Sequence, residues 1–268
     1  MSAPRANALD RLFLSGLGAF LGIYLLLIVA MLAADATFTS PAAIREALGR
    51  EEIRYAFWLS MVTATASAIL SVWFAVPIGY LLSRTQFRGK ALVDGVLDIP
   101  IVLPPMVVGL SLLILFQTAP GRWIESFVPI TYEVPSIVIA QFAVACAFAV
   151  RTMRVTFDQI DTRREEVAWT LGCSRRQAFW HVVLPEAGRG ILAAGMLAWA
   201  RSLGEFGPIL VFSGATRMKT EVLPTTVFLE LSIGDLESAV AVSLVMVTAA
   251  VAVLVIARLL GVSLSHQR

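Results

Sequence analysis

Two opposite charges, Arg201 and Glu205, interrupt the otherwise apolar stretch Gly190 to Thr216. A charge at the centre of a membrane costs roughly 2.5–3.5 kcal/mol, so the two demand pairing, water, or both. Spaced four apart, they are expected on one helix face, and two readings stay open. Either they form an intrahelical ion pair that cancels most of the cost, or that face lines a water-filled route. On the second reading the Arg201 guanidinium offers bidentate hydrogen bonds to an oxyanion. A carboxylate only accepts hydrogen bonds, so Glu205 suits holding Arg201, or forming part of a gate, better than binding an anion. Gly204, Gly207 and Pro208 beside the pair permit close packing or a hinge. Thr63, Thr65, Ser67 and Ser111 carry further hydroxyls, which either serve a route or bond back to their own helix.

Other chemistries lack their residues. No GxxxxGK[ST] phosphate cradle occurs, since Gly89-Lys90 lacks a glycine five positions earlier, so ATP is not bound by that device. His181 and His266 have no partners at metal-ligand spacing, and no metal site is expected. Cys146 falls in an apolar stretch and Cys173 in a polar segment, so no disulfide between them is expected. Neither a Ser-His-Asp set nor a pair of catalytic carboxylates is present, and the chain is not expected to be an enzyme.

The elements that must position these residues are membrane helices. Of 268 residues 58% are hydrophobic and 15% charged, with a mean hydropathy of +0.80; soluble domains carry about a quarter charged residues. Uncharged runs extend from Leu12 to Ala33, Ala56 to Ser83, Ile99 to Gly121, Val134 to Val150 and Ser238 to Ala257. With the stretch bearing Arg201 and Glu205 they make about six spans, each near the roughly 20 residues a helix needs to cross. None alternates as a membrane barrel strand does, so the expected fold is all-α and polytopic. The first run is too long for a signal peptide's apolar core of about 7–15 residues and is expected to stay as a span.

Basic residues set the orientation. Fourteen (Arg5, Arg11, Arg84, Arg88, Lys90, Arg151, Arg154, Arg163, Arg164, Arg175, Arg176, Arg189, Arg258 and Arg268) fall on one side, and six (Arg45, Arg50, Arg54, Arg122, Arg217 and Lys219) on the other. Basic loops stay in the cytoplasm, so both termini are expected there. Between the first two spans, Ser40-Pro41 marks the start of a short surface helix at the outer face. Pro100, Pro104 and Pro105 break the helix ladder of the third span, giving either a simple kink or an irregular segment that shapes a pathway.

The longest cytoplasmic segment, 151–189, is amphipathic. Its pattern predicts two short helices parted near Gly172-Cys173-Ser174, with Ser174 capping the second and Pro185 near its end. Gly172 permits a tight, left-handed turn. Such a hairpin docks either on its own spans or in a partner's groove.

Within this segment Glu166-Val167-Ala168, Gly172 and then Val182, Leu184-Pro185 resemble the EAA loop of ATP-binding-cassette importer permeases. The family pattern is Glu-Ala-Ala, three residues, Gly, nine residues, an aliphatic, one residue, Leu-Pro; only Val167 departs from it. The resemblance implies a coupling helix, begun by Ser174, Arg175 and Arg176, that enters a cleft of the ATPase. Glu166 and Ala168 lie on the first helix and Gly172 at the turn. The stretches Ser83–Leu110, Ala200–Gly214 and Leu223–Leu244 resemble molybdate, tungstate and sulfate permeases, the last being closest to the molybdate and tungstate members.

Together these resemblances imply a type I importer permease, one transmembrane domain over 1–268 with 151–189 as its coupling loop. They imply a homodimer in the inner membrane, with two ATPase subunits below and a periplasmic oxyanion-binding protein above. ATP and magnesium belong to the partner ATPase, so no cofactor is expected in this chain, and no nucleic-acid partner. Pro104, Pro105, Arg201, Glu205 and Gly207 are the expected pathway or gate residues. Met218-Lys219-Thr220-Glu221 also resembles sulfate permeases, which keeps sulfate or thiosulfate as the rival cargo. A secondary transporter coupled to protons or sodium through Arg201 and Glu205 is the alternative of another class.

Overall fold

The computed structural model describes residues 8–263, and among them every regular element is a helix. Arg5, His266 and Arg268, and with them the expected placement of both termini, lie outside the described residues. Helix α1 (Ala8–Phe38) is exposed along its apolar length. Helix α2 (Pro41–Gly49) starts where the sequence predicts, with the Ser40 hydroxyl accepting from the Ala43 amide at 3.1 Å. Helix α3 (Glu51–Arg84) forms the centre of the bundle.

The third expected span is not one helix. Helix α4 (Lys90–Val102) ends at Leu103, and α5 (Pro105–Gln117) leaves at 110° to it. Pro104 and Pro105 bring no N–H to the ladder, and each disfavours helical backbone before it, so the chain turns there far more sharply than a kink. A short helix α6 (Ala119–Glu125) follows, then α7 (Val134–Asp158).

Helices α8 (Arg163–Thr170) and α9 (Arg175–Ala178), a π turn at Phe179–Val183 and α10 (Leu184–Glu186) make the predicted hairpin. It meets α11 (Gly188–Leu203) at a 68° bend. The fifth span is also interrupted: α11 stops at Leu203, and α12 (Gly207–Phe212) resumes after three residues. Helix α13 (Leu223–Ile233), which the charge-free runs did not announce, turns at Gly234 into α14 (Leu236–Ser263). Among the described residues four helices are long and apolar enough to cross a membrane, or up to six if each bent pair counts as one span.

Small residues bring α3 and α7 together. Ala56, Ser60, Thr63, Ser67, Ser71, Ala75 and Gly79 are buried at helical spacing, and a Cβ on Gly79 would lie 2.8 Å from that of Met153. In lipid, where burying apolar surface gains little, such close backbone approach is what holds helices together. Gln141 of α7 accepts from the Ser67 hydroxyl at 3.1 Å and donates to the Ser202 carbonyl at 3.1 Å, tying α3, α7 and α11.

The ion pairs divide as the basic residues do. At one end Arg84 pairs with Glu165, Arg154 with Asp94 and Asp158, and Arg164 with Glu186. At the other Arg50 pairs with Glu230 and Asp235, Arg217 with Glu230, and Lys219 with Glu133. The hairpin belongs to the first end.

Candidate functional site

The hairpin is built by local chemistry. Helix α8 closes in a Schellman motif: the Cys173 amide donates to the Ala168 carbonyl and the Gly172 amide to the Trp169 carbonyl, both at 3.0 Å. Gly172 has φ +89° with open space around its Cα, so it is needed for its backbone angle rather than for room. The second helix opens with a capping box, Gln177 amide to Ser174 hydroxyl at 3.3 Å and Ser174 amide to Gln177 Oε1 at 2.8 Å. Arg175 stacks over the Trp169 ring at 5.5 Å, closing the hairpin across its turn. The π turn sits just ahead of Pro185, whose ring would collide with the preceding turn of a regular α-helix; the wider turn relieves that collision.

The two faces of the hairpin differ. Ala168, Ala178 and Val183 are buried, while Glu166, Gly172, Ser174, Arg175 and Arg176 are exposed. Leu171, Val167 and Trp180 are also exposed, Leu171 at 79%. Leu184 is half-buried and Pro185 exposed. Residues that the spacing singles out thus stand together on one projecting element, carrying apolar and basic groups outward.

A second cluster, missed in the sequence, binds this element to the bundle. Glu165, buried to 3%, accepts from Arg84 Nε at 2.6 Å and from the Tyr80 hydroxyl at 2.7 Å. Arg84 also donates to the carbonyls of Phe157 and Ile160, both at 2.9 Å. In the sequence Arg84 reads only as one of the basic residues that set topology, and Glu165 does not stand apart from Glu166. The available signal was helical spacing: Glu165 and Ala168 share the inward face of α8. Between α3 and the hairpin lies a cleft of about 810 Å³, lined by Pro77, Leu81, Trp169 and Phe179 together with Arg84 and Arg175.

The expected pathway residues gather at the two helix breaks. Arg201 Nη1 lies 2.7 Å from Glu205 Oε2, so the ion pair forms. Glu205 is nevertheless not on the helix face that the spacing predicts. Helix α11 ends at Leu203 with Gly204 as its cap, and Glu205 follows in the break, its amide donating to the Ser202 carbonyl at 3.2 Å; a glycine followed shortly by Pro208 halts the helix before its second charge. The Glu205 side chain is 2% exposed and that of Arg201 30%, the latter lying 5.8 Å from the Phe148 ring.

The break in the third span meets this one directly. A Cβ on Gly207 would lie 3.0 Å from the Met106 amide and from Pro105 Cβ, and one on Gly109 would lie 2.7 Å from Pro208 Cα. Pro104 caps α5, and Pro105 starts it. Thus Pro104, Pro105, Glu205 and Gly207 mark interrupted backbone, with Arg201 in the last turn of α11 reaching it through its ion pair; such backbone is tolerated in a membrane only where protein covers it or a cavity adjoins it. The hydroxyls of Thr63 and Thr65 bond to their own helix at 2.8 and 2.7 Å. That of Ser67 crosses to Gln141 and to the Val138 carbonyl.

Residues 75–266 match the family described as the binding-protein-dependent transport system inner membrane component. The chain belongs to that family. A probable molybdenum ABC transporter permease of Haloferax volcanii is 37% identical over 244 residues, 91% of this chain and 87% of the relative. The molybdate/tungstate permease WtpB of Pyrococcus abyssi is 36% identical over 74% of this chain and 75% of its own. The sulfate permease CysT of Escherichia coli is 32% identical over 88% of this chain and 86% of its own. In fold the chain is similar to a bacterial ABC transporter that imports alginate, with a TM-score of 0.73 over 93% of this chain and 94% of that one at 15% identity. The all-α importer-permease architecture implied by the EAA-like spacing is therefore the fold of this chain.

Proposed function

We propose that this permease carries molybdate or tungstate across the inner membrane, with the hairpin end and both termini in the cytoplasm. It works as a homodimer forming one transmembrane domain over 1–268, with two ATPase subunits beneath and a periplasmic oxyanion-binding protein above. ATP and magnesium are bound by the ATPase. The observation that carries the reading is the hairpin itself: Glu166, Gly172 and Leu184-Pro185 at EAA spacing fold into a projecting pair of helices. Their apolar and basic tip, Leu171, Trp180, Arg175 and Arg176, is exposed. An amphipathic short helix of this kind fits a groove on a partner.

Closure of the ATPases on ATP draws the two hairpins together and rocks the spans to an outward-open state. The oxyanion then passes from the binding protein, and hydrolysis restores the inward-open state. Arg201, held by Glu205, serves the anion's passage at the crossing of the two helix breaks. Binding there stays weak enough for release, so discrimination rests mainly with the binding protein. The identity of 37% to a molybdenum permease against 32% to a sulfate permease favours molybdate or tungstate, while Met218-Lys219-Thr220-Glu221 favours sulfate as the second reading.

Reconstitution in proteoliposomes with the ATPase and binding protein tests both. ATP-dependent uptake of molybdate or tungstate that outcompetes sulfate is expected. Uptake of sulfate alone selects the second reading, and uptake driven by an ion gradient without ATPase overturns the class.

A further inference from the structure

The coupling role of the hairpin, on which this inference rests, does not say how its displacement reaches the spans. Helix α8 packs mainly against the second half of its own hairpin. Among the described residues, the polar side-chain contacts from α8 to the spans all pass through Glu165. Its two oxygens are taken by two residues of one turn of α3, Tyr80 and Arg84.

That turn also reaches the end of α7 and the π turn. Arg84 also grips the end of α7 through the Phe157 and Ile160 carbonyls. The Tyr80 ring stands 5.6 Å from that of Phe157 and 4.6 Å from that of Phe179 in the π turn. Helix α3 in turn packs along α7 and α11, the body of the bundle. A load applied to the hairpin thus has a direct polar path into α3 that bypasses residues 159–162, the covalent link from α7.

We infer that the Glu165–Arg84–Tyr80 cluster is the joint that converts hairpin movement into movement of α3, with Glu165 a positioning residue for transport. The chemistry suits a joint that must not slip. Glu165 is 3% exposed, so water is a poor substitute for its partners, and a charge-assisted bond inside a low dielectric is strong and directional. Two prongs fix the angle as well as the distance.

The test uses the complete transporter, reconstituted with its ATPase and binding protein, in three variants: Glu165→Ala, Arg84→Lys and Tyr80→Phe. Two quantities are read: molybdate taken up per ATP hydrolysed, and the yield of a cross-link from Arg176→Cys to the ATPase. Glu165→Ala is expected to lower uptake per ATP about tenfold, with hydrolysis and cross-linking within about twofold of the parent. Arg84→Lys keeps the charge but loses the fork, and is expected to fall similarly. Tyr80→Phe keeps the ring packing and loses one donor, with an expected drop of about threefold; it carries the test should the charge variants fail to assemble. Unchanged uptake per ATP, or uptake and hydrolysis falling in parallel, overturns the joint. Absence of the cross-link in the otherwise unaltered transporter overturns instead the reading of the hairpin as the ATPase contact.

Discussion

At the scale of single residues, Gly172 separates backbone demand from side-chain space. Its φ of +89° lies where L side chains are strained, yet nothing crowds its Cα. Replacing it with valine is therefore expected to cost about 1–2 kcal/mol through the backbone alone, tilting α9 away from α8. Asparagine, which tolerates this conformation, is expected to cost less. Uptake per ATP should fall in the order Gly, Asn, Val with insertion unchanged; equal transport by all three would remove the turn from the coupling mechanism. Arg201 and Glu205 invite a different comparison. Arg201→Met leaves a buried carboxylate without its cation, a loss of about 3–5 kcal/mol, whereas Arg201→Met with Glu205→Met removes both charges. The double variant is expected to recover thermal stability but not oxyanion uptake. Recovery of both would reduce the pair to a structural one; a double-mutant cycle on melting temperature and uptake decides.

At the scale of elements, Asp235 shows how α14 is started. Its carboxylate accepts from the Ser238 amide at 3.0 Å, capping the first turn. Hydrogen bonds from Ser238, helped by Arg50, hold its pKa below the usual carboxylate value. Lowered in the folded state, this group adds stability above its ordinary pKa, and that stability is lost as pH falls through the depressed value. Asp235→Asn should keep the cap and flatten the acid side of the stability profile. Asp235→Ala should cost about 1 kcal/mol at neutral pH; melting curves in detergent across acid pH check both. The hairpin was legible from the sequence because caps and turn residues act locally: Ser174, Gln177 and Gly172 build their own geometry. Breaks in the third and fifth spans were only half legible. Prolines and glycines marked where helices weaken, but the 110° turn and the end of α11 ahead of Glu205 go with close packing between α5 and α12, through Gly109 and Gly207. Such a contact between distant segments leaves no periodicity to read. Helix α13 escaped for a related reason, being too short to register as a span although Pro224 and Gly234 punctuate it.

At the scale of the whole molecule, the segregation of charge gives the clearest agreement between composition and structure. Basic residues divided by loop reappear in two sets of ion pairs at opposite ends, and among the described residues only Arg201–Glu205 lies between. The proposed orientation rests on this division through the positive-inside tendency. In a background lacking Cys146 and Cys173, a cysteine at Arg88 is expected to react with impermeant reagents from the cytoplasmic side alone, and one at Arg122 from the periplasmic side alone. The reverse pattern would invert the molecule and place the hairpin out of reach of ATP. The Glu165 joint was not legible, because it needs α3 and α8 to be neighbours across some eighty positions of chain.

The π turn at Phe179–Val183 means that the second arm of the hairpin holds one residue more than α geometry requires. A π turn winds its extra residue into a single wider turn. Deleting one of the five positions is therefore expected to restore α geometry with the hairpin tip at nearly the same azimuth. A deletion in the regular turns of α11 would instead rotate the tip by about 100°, one residue's worth of helical rotation. The π turn is thus the place where this stretch can gain or lose a residue while the same face of the hairpin stays outward.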